Sequence, residues 1–331
     1  MVKRTPIVLL AGAMAVAVLV ACEPLPPPAT FTVTTTVDGL DANPGDGICE
    51  VTPGAGDCSL RAAFAEANAV PRGVIVAPGK TFDLTVSDPT DGDVDLDVVG
   101  HIDLSPASGS IHLRRATPGG ALVDVAEDGW LLAKLALPST DADTLLRVAG
   151  TLLLDDSLIS VLLLGAGPNP VLHVLPTGTV VLLNSVVAGS ATPAAIVNEG
   201  VLVARYSELI GFYAPAVHTA TTGRTLVGAS RVSSRDVYLV HDFEVPAVPA
   251  CSGQFLESDG YNRVPNDSCA LAEPTDLQSA SSTWVDQIPP GTLGCGDFVV
   301  RDLNGQPRPA DGDGDGISAC DIGAKEWQPN P

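Results

Sequence analysis

Three aspartates alternate with glycine in one short loop, Asp311, Asp313 and Asp315, closed by Gly316. Carboxylates at positions 1, 3 and 5 of a tight loop supply the hard oxygen ligands that Ca²⁺ takes. An EF-hand loop would add a bidentate glutamate at its twelfth position, which here is Ile322, so Asp321, one residue earlier, is the nearest substitute. A structural Ca²⁺ is therefore the only cofactor the sequence suggests, with a solvated turn as the plain alternative. A second acidic run, DPTDGDVDLD at 88–97, brings Asp93, Asp95 and Asp97 to alternate positions. On one strand face they would repel unless shielded, and a solvated edge strand is the expectation there rather than Ca²⁺.

Catalytic chemistry has a thinner basis. Lys134 and Asp155 each stand five residues after a glycine, Gly129 and Gly150, and with Asp156 would form a small carboxylate site of the kind that cleaves glycosidic bonds. A surface ion pair worth under about 1 kcal/mol is the simpler reading. The histidines, His101, His112, His173, His218 and His241, form no i, i+2 or i, i+4 pair, and no His/Cys or His/Asp constellation marks a metal or nucleophile site. Ser157, Ser185, Ser207 and Ser230 recur seven residues after Gly150, Gly178, Gly200 and Gly223. A residue that returns in every coil belongs to a turn, whereas a catalytic serine is normally unique.

Composition bounds the partners. The chain has 331 residues, 45% hydrophobic but only 4% aromatic, which argues against carbohydrate-stacking platforms. A formal charge of −22 argues against nucleic acid or an anionic membrane surface as a direct partner, since both repel such a surface. With 33 Gly and 28 Pro the chain is turn-rich and reads as all-β.

The N-terminus carries Lys3 and Arg4, then an apolar run over 7–21 that stops just before Cys22, with Leu19-Val20-Ala21-Cys22 at the junction. This is a secretion signal rather than a membrane-spanning helix. That tetrapeptide resembles the lipobox of bacterial lipoproteins, which implies that Cys22 is lipidated, becomes the new N-terminus and makes the membrane a partner. Glu23-Pro24-Leu25-Pro26-Pro27-Pro28 follows as a stiff spacer. Without Cys22 the cysteines number an even six: Cys49, Cys58, Cys251, Cys269, Cys295 and Cys320. In an exported chain that points to three disulfides. Fifteen connectivities are open; nearness in sequence favours Cys49 with Cys58, Cys251 with Cys269 and Cys295 with Cys320, all outside the repeating region. Zinc is the rival use, and no C-x-x-C or neighbouring histidine supports it.

The elements that would position these groups are announced by glycines at Gly109, Gly129, Gly150, Gly178, Gly200 and Gly223, spaced by 20, 21, 28, 22 and 23 residues. That period suits a solenoid, whose repeats bury apolar side chains only by stacking on one another. After the last four glycines the second and fourth positions are Leu152 and Leu154, Val180 and Leu182, Leu202 and Ala204, Thr225 and Val227. Alternation of this kind is a strand with one face in the core. Each coil then reads as glycine turn, strand, serine corner and second strand, and a parallel β-helix is the simplest fold that repeats such a unit. The third position runs Leu132, Leu153, Val181, Val203 and Leu226. Period-2 geometry sends this row outward as an aliphatic stripe roughly 20 Å long. Either the C-terminal module covers it, the favoured reading, or it is an interface.

Both ends of the solenoid carry further patterns. FTVTTTVDGL from Phe31, an acidic loop holding a cysteine pair, and Cys58-Ser59-Leu60-Arg61 before a short helical pattern resemble the CSLREAI domain, found at the N-terminal end of exported right-handed β-helices. Ala62 and Phe64 replace that family's usual Glu and Ile; Ser59 still caps the helix, but Ala62 cannot return the second bond of a capping box. Leu60, Phe64 and Ala67 share one helical face and would plug the first coil. Toward the other end, Gly260-Tyr261-Asn262, Pro274-Thr275-Asp276-Leu277, Pro307-Arg308-Pro309 and Cys320-Asp321-Ile322-Gly323-Ala324 resemble, in that order, the choice-of-anchor Q domain of bacterial surface proteins, with Lys325 in place of its usual aromatic. Neither resemblance implies a reaction.

The expected chain is thus a signal peptide at 1–21, a Pro-rich linker at 22–30, a CSLREAI-like cap at 31–70, a right-handed parallel β-helix of the pectin-lyase-like kind at 71–240, and an irregular, disulfide-bearing module at 241–331. The expected role is that of a non-catalytic, lipid-anchored, surface-displayed structural or adhesion protein whose partner is an extracellular protein or glycan. The alternative is a polysaccharide lyase or glycoside hydrolase working on the outer face of the helix, although the NTD, GHG and RIK segments of polygalacturonases are absent.

Overall fold

A computed structural model describes residues 27–87, 92–115, 120–139, 144–161, 169–190, 193–235, 248–254, 256–278 and 284–328. The fold is a right-handed parallel β-helix with three sheets along its length. Sheet A has nine strands, from Ala29–Thr32 to Glu257–Ser258; sheet B has nine, from Thr81–Leu84 to Leu277–Gln278; sheet C has seven, from Leu96–Val98 to Cys251–Gly253. Each regular coil therefore has three strands, one more than its sequence pattern suggests. The additional strand of sheet C is only three residues long, as in Leu146–Val148, too short for alternation to register. The ladder also runs to Gln278, past the point where the glycine spacing ends, in last strands of two residues that are too short for alternation to register.

Stacking is in register along sheet A. Leu152, Val180, Leu202 and Thr225 form one row, each stacked on the residue of the next coil, and Leu154, Leu182, Ala204 and Val227 form another, all buried. The buried Thr225 hydroxyl is satisfied by Asn198 at 2.8 Å and Thr219 at 2.7 Å, as a polar group in a core must be. The coil glycines answer to close packing: a Cβ at Gly129, Gly150, Gly178, Gly200 or Gly223 would sit 2.1–2.3 Å from a backbone carbonyl. Gly109 does not belong to this series. It turns into the sheet B strand Ile111–Arg115 with φ +68, and Gly100, just before the sheet A strand His101–Pro106, takes its place in the register.

The corner between sheets A and B is built from two rows. Asp156, Asn184, Tyr206, Ala229 and Tyr261 take left-handed φ of 47, 47, 49, 54 and 56°, turning the chain. The next residues form a ladder: the backbone N–H of Leu135, Ser157, Ser185 and Ser207 donates to the hydroxyl of Ser157, Ser185, Ser207 and Ser230 at 3.0, 3.1, 3.3 and 3.1 Å. Ser230 N–H ends the row on Asn262 Oδ1 at 3.0 Å.

Helix α1, Leu60–Asn68, covers the open N-terminal end. Ser59 Oγ accepts from Ala62 N–H at 3.0 Å, and Leu60, Phe64 and Ala67 are buried with the first coils. Arg61 pairs with Asp38 at 3.0 Å, both shielded, and Glu66 draws in the acidic loop by accepting from Gly45 and Gly47 N–H at 2.6 and 2.7 Å. Of Asp93, Asp95 and Asp97 only Asp97 lies in a strand; Asp95 is buried and Asp93 exposed, so the three do not share one strand face.

Residues 284–328 form an irregular module tied by the Cys295–Cys320 disulfide and short bridges such as Ile288 with Cys320. Ile288, Val299, Cys320 and Ile322 pack on Tyr206 and Ala229, while Ala324 packs with Val186, Ala188 and Ile210, partly shielded by Leu303 and Phe212. The module thus lies against the A/B corner and the outer face of sheet B.

Candidate binding cleft

Between that face and the module is a cleft of about 610 Å³. Its floor comes from the eighth residue after each coil glycine, Leu158, Val186, Glu208 and Arg231, stacked in register on sheet B. Neighbouring coils thus set opposite charges side by side, with Arg231 Nη1 3.2 Å from Glu208 Oε1. The opposite wall carries Trp284, Leu303, Asn304, Lys325, Glu326 and Trp327. The Arg231 guanidinium lies 5.2 Å above the Trp284 ring, and Trp284 meets Trp327 nearly perpendicular, 81° at 6.3 Å. Trp327 remains 56% exposed. Low aromatic content argued against a stacking platform, yet the fold gathers two of the chain's three tryptophans in this one place. The charge pair was readable from the eighth-position row; the tryptophans, 43 residues apart outside any repeat, gave no signal of meeting.

Behind the wall is a buried ionic cluster. Arg308 Nε lies 3.3 Å from Glu326 Oε2, its Nη2 donates to the Gly323 carbonyl at 2.7 Å, and its guanidinium stacks 4.8 Å over Tyr206. Glu326 accepts from Ala310 and Asp321 N–H at 3.0 and 2.9 Å. Burial pushes the Glu326 carboxyl up to about 7 against the pull of these bonds and of Arg308, and it pushes Asp321 up to about 6. It also lowers Arg308 and raises the Tyr206 phenol.

The expected calcium ligands divide. Asp311 and Asp313 come together with Asp286, their carboxylate oxygens within 4.8 Å of one another. Asp286 accepts from Asp313 N–H at 2.8 Å and keeps a buried Oδ1 without a hydrogen-bond partner; burial raises its carboxyl. Asp315 instead accepts from Ile317 N–H at 2.8 Å. Asp321 lies outside that group of three. It is buried, with its oxygens taken by the N–H groups of Asp286 and Trp327 at 2.8 and 2.6 Å. Asp286 carries no sequence signal, being 25 residues upstream of Asp311.

Elsewhere, Lys134 pairs with Asp156 at 3.0 Å rather than with Asp155, whose carboxyl is raised by burial and then by the Asp156 charge, against the pull of Lys134. Leu132, Leu153, Val181, Val203 and Leu226 stack in register as a half-buried outward row, bounded by Asp103 and Glu257. None of the five belongs to the clusters that the C-terminal module forms with the solenoid. The module covers sheet B because Val186, Ala188 and Ile210 offer it an apolar surface next to its own anchor at Tyr206.

The six cysteines pair as Cys49–Cys58, Cys251–Cys269 and Cys295–Cys320. Cys251 begins the last strand of sheet C, so that bridge clamps the solenoid itself. Disulfides persist in oxidising compartments, and the chain accordingly belongs to an exported environment. No helix among the described residues is long and apolar enough to cross a membrane. Cys22 and the signal segment lie outside the described residues.

Fold and bridges together define an exported, disulfide-bonded parallel β-helix protein. No protein-family model, curated protein or solved structure matches the chain.

Proposed function

We propose that this chain is a non-catalytic protein held at a bacterial cell envelope through lipidated Cys22, where the β-helix displays a binding surface outside the cytoplasm. The observation that carries the reading is the cysteine balance: six are paired with one another, and the seventh is Cys22 at the end of the signal pattern. The resemblance of both end modules to those of bacterial surface proteins supports the same location. A binding role is supported by how the outward charges are used. Lys134 with Asp156, Arg147 with Asp124 and Arg114 with Asp83 pair at 3.0, 2.9 and 2.8 Å and join neighbouring coils instead of converging on a reactive point. The cleft at Trp284 and Trp327 is where an extracellular protein or glycan would dock; nucleic acid is no partner for a chain of charge −22.

Fractionation of cells making Cys22→Ser tests the anchor. The variant is expected in the medium or periplasm, and retention in the membrane fraction would remove the anchor from the proposal. Polysaccharide cleavage is the second reading, favoured by the raised Asp155 carboxyl beside Asp156. Depolymerisation by the purified protein, abolished in Asp155→Ala with Asp156→Ala, would establish it in place of the binding role.

A further inference from the structure

Resting on the binding role above, we infer that the cleft takes a neutral saccharide, with one sugar ring stacked on Trp327 and its hydroxyls held by Glu208, Arg231 and Asn304. A pyranose has a face of weakly positive C–H groups and a rim of hydroxyls. Its natural complement is an indole face, which is negative, next to planar hydrogen-bonding groups. The cleft supplies both. Trp327 is more than half exposed, and its perpendicular contact with Trp284 orients it without covering it. Trp284 is engaged by Arg231, so the ring left for a ligand is Trp327.

Charge and size narrow the class. In the lining Arg231 pairs with Glu208, and Glu326 is turned into the buried pair with Arg308, which leaves Lys325 as a single exposed cation, while the chain's −22 repels an acidic sugar. The Glu208 carboxylate and Arg231 guanidinium, 3.2 Å apart and largely shielded, form a fixed planar pair able to accept from one hydroxyl and donate to its neighbour. The volume, about 610 Å³, lies within the range of small-ligand clefts and exceeds a single ring, so a short oligosaccharide fits.

The test titrates the full-length protein, in detergent, with cellohexaose, maltohexaose, mannohexaose and chitohexaose, alongside trigalacturonate and hexaproline, following tryptophan fluorescence and calorimetry. At least one neutral hexasaccharide is expected to bind saturably. Trp327→Ala should weaken it at least tenfold with Tm unchanged, and Asn304→Ala, at the cleft rim, should weaken it independently should Trp327→Ala lower Tm. Silence from all four neutral sugars, full binding by both variants, or preference for trigalacturonate or hexaproline would overturn the inference. Cleavage of a bound hexasaccharide would overturn the non-catalytic reading and leave the cleft assignment standing; membrane retention of Cys22→Ser would touch only the anchor.

Discussion

Arg308 and Glu326 face each other at 3.3 Å with neither side chain exposed to solvent. The pair joins the two halves of the C-terminal module to the solenoid, since Arg308 stacks on Tyr206 of the A/B corner and Glu326 holds the backbone of Ala310 and Asp321. A buried pair of this kind specifies an arrangement more than it adds stability, and removing one partner leaves the other charged and desolvated.

Arg308→Ala is therefore expected to cost about 3–5 kcal/mol in chemical denaturation. Arg308→Met combined with Glu326→Gln should lose less, because no uncompensated charge stays behind and the amide oxygen still accepts from the backbone that Glu326 holds. Equal losses in the single and double variants would show that packing, not charge, decides.

The same cluster makes stability depend on pH. Glu326 rises from an ordinary 4.5 to about 7 and Asp321 from 3.8 to about 6, so the native state holds both protons more tightly than the unfolded chain. Their stabilisation is complete below about 3.8 to 4.5 and is lost as pH climbs through about 6 and about 7. Tm should fall between pH 5 and pH 8, and Glu326→Gln should flatten that fall. An unchanged slope in the variant would place the dependence elsewhere.

Asp286, Asp311 and Asp313 repel one another unless a cation or protons intervene. Calcium should raise the Tm of the wild-type protein more than that of Asp313→Ala or Asp286→Ala, and Asp321→Asn should keep the calcium response because its oxygens serve backbone N–H groups. Identical shifts in wild type and Asp313→Ala would leave a solvated turn.

Val181 and Val203 centre the outward row of sheet A. Replacing both with aspartate is expected to change stability by no more than about 1 kcal/mol, as surface changes do, while abolishing any self-association seen by sedimentation. A large fall in Tm would mean that the row is buried within the chain; no change in either property would mean that it is not an interface.

Alternation at Leu152, Leu154, Val180 and Leu182, glycines at coil spacing and a serine at each corner were enough to write the β-helix from sequence. Each of these constraints acts within one coil or between adjacent coils, so it repeats in the chain at a readable interval. Ser59 and the apolar face of α1 were legible from spacing within a single short helix, and nearness in sequence favoured the cysteine pairing that forms. Sequence did not carry the sheet C strands, whose three residues are fixed by the coils above and below, or the shift of register from Gly109 to Gly100. Nor did it carry Asp286 beside Asp313, Trp284 beside Trp327, or Tyr206 beneath Arg308. Those groups are brought together by an irregular module folded back onto the A/B corner, with 27 to 102 residues between partners and no period to announce them. The solenoid follows from local repetition, whereas the cleft and the ionic cluster exist only because tertiary packing closes long loops of chain around single contacts.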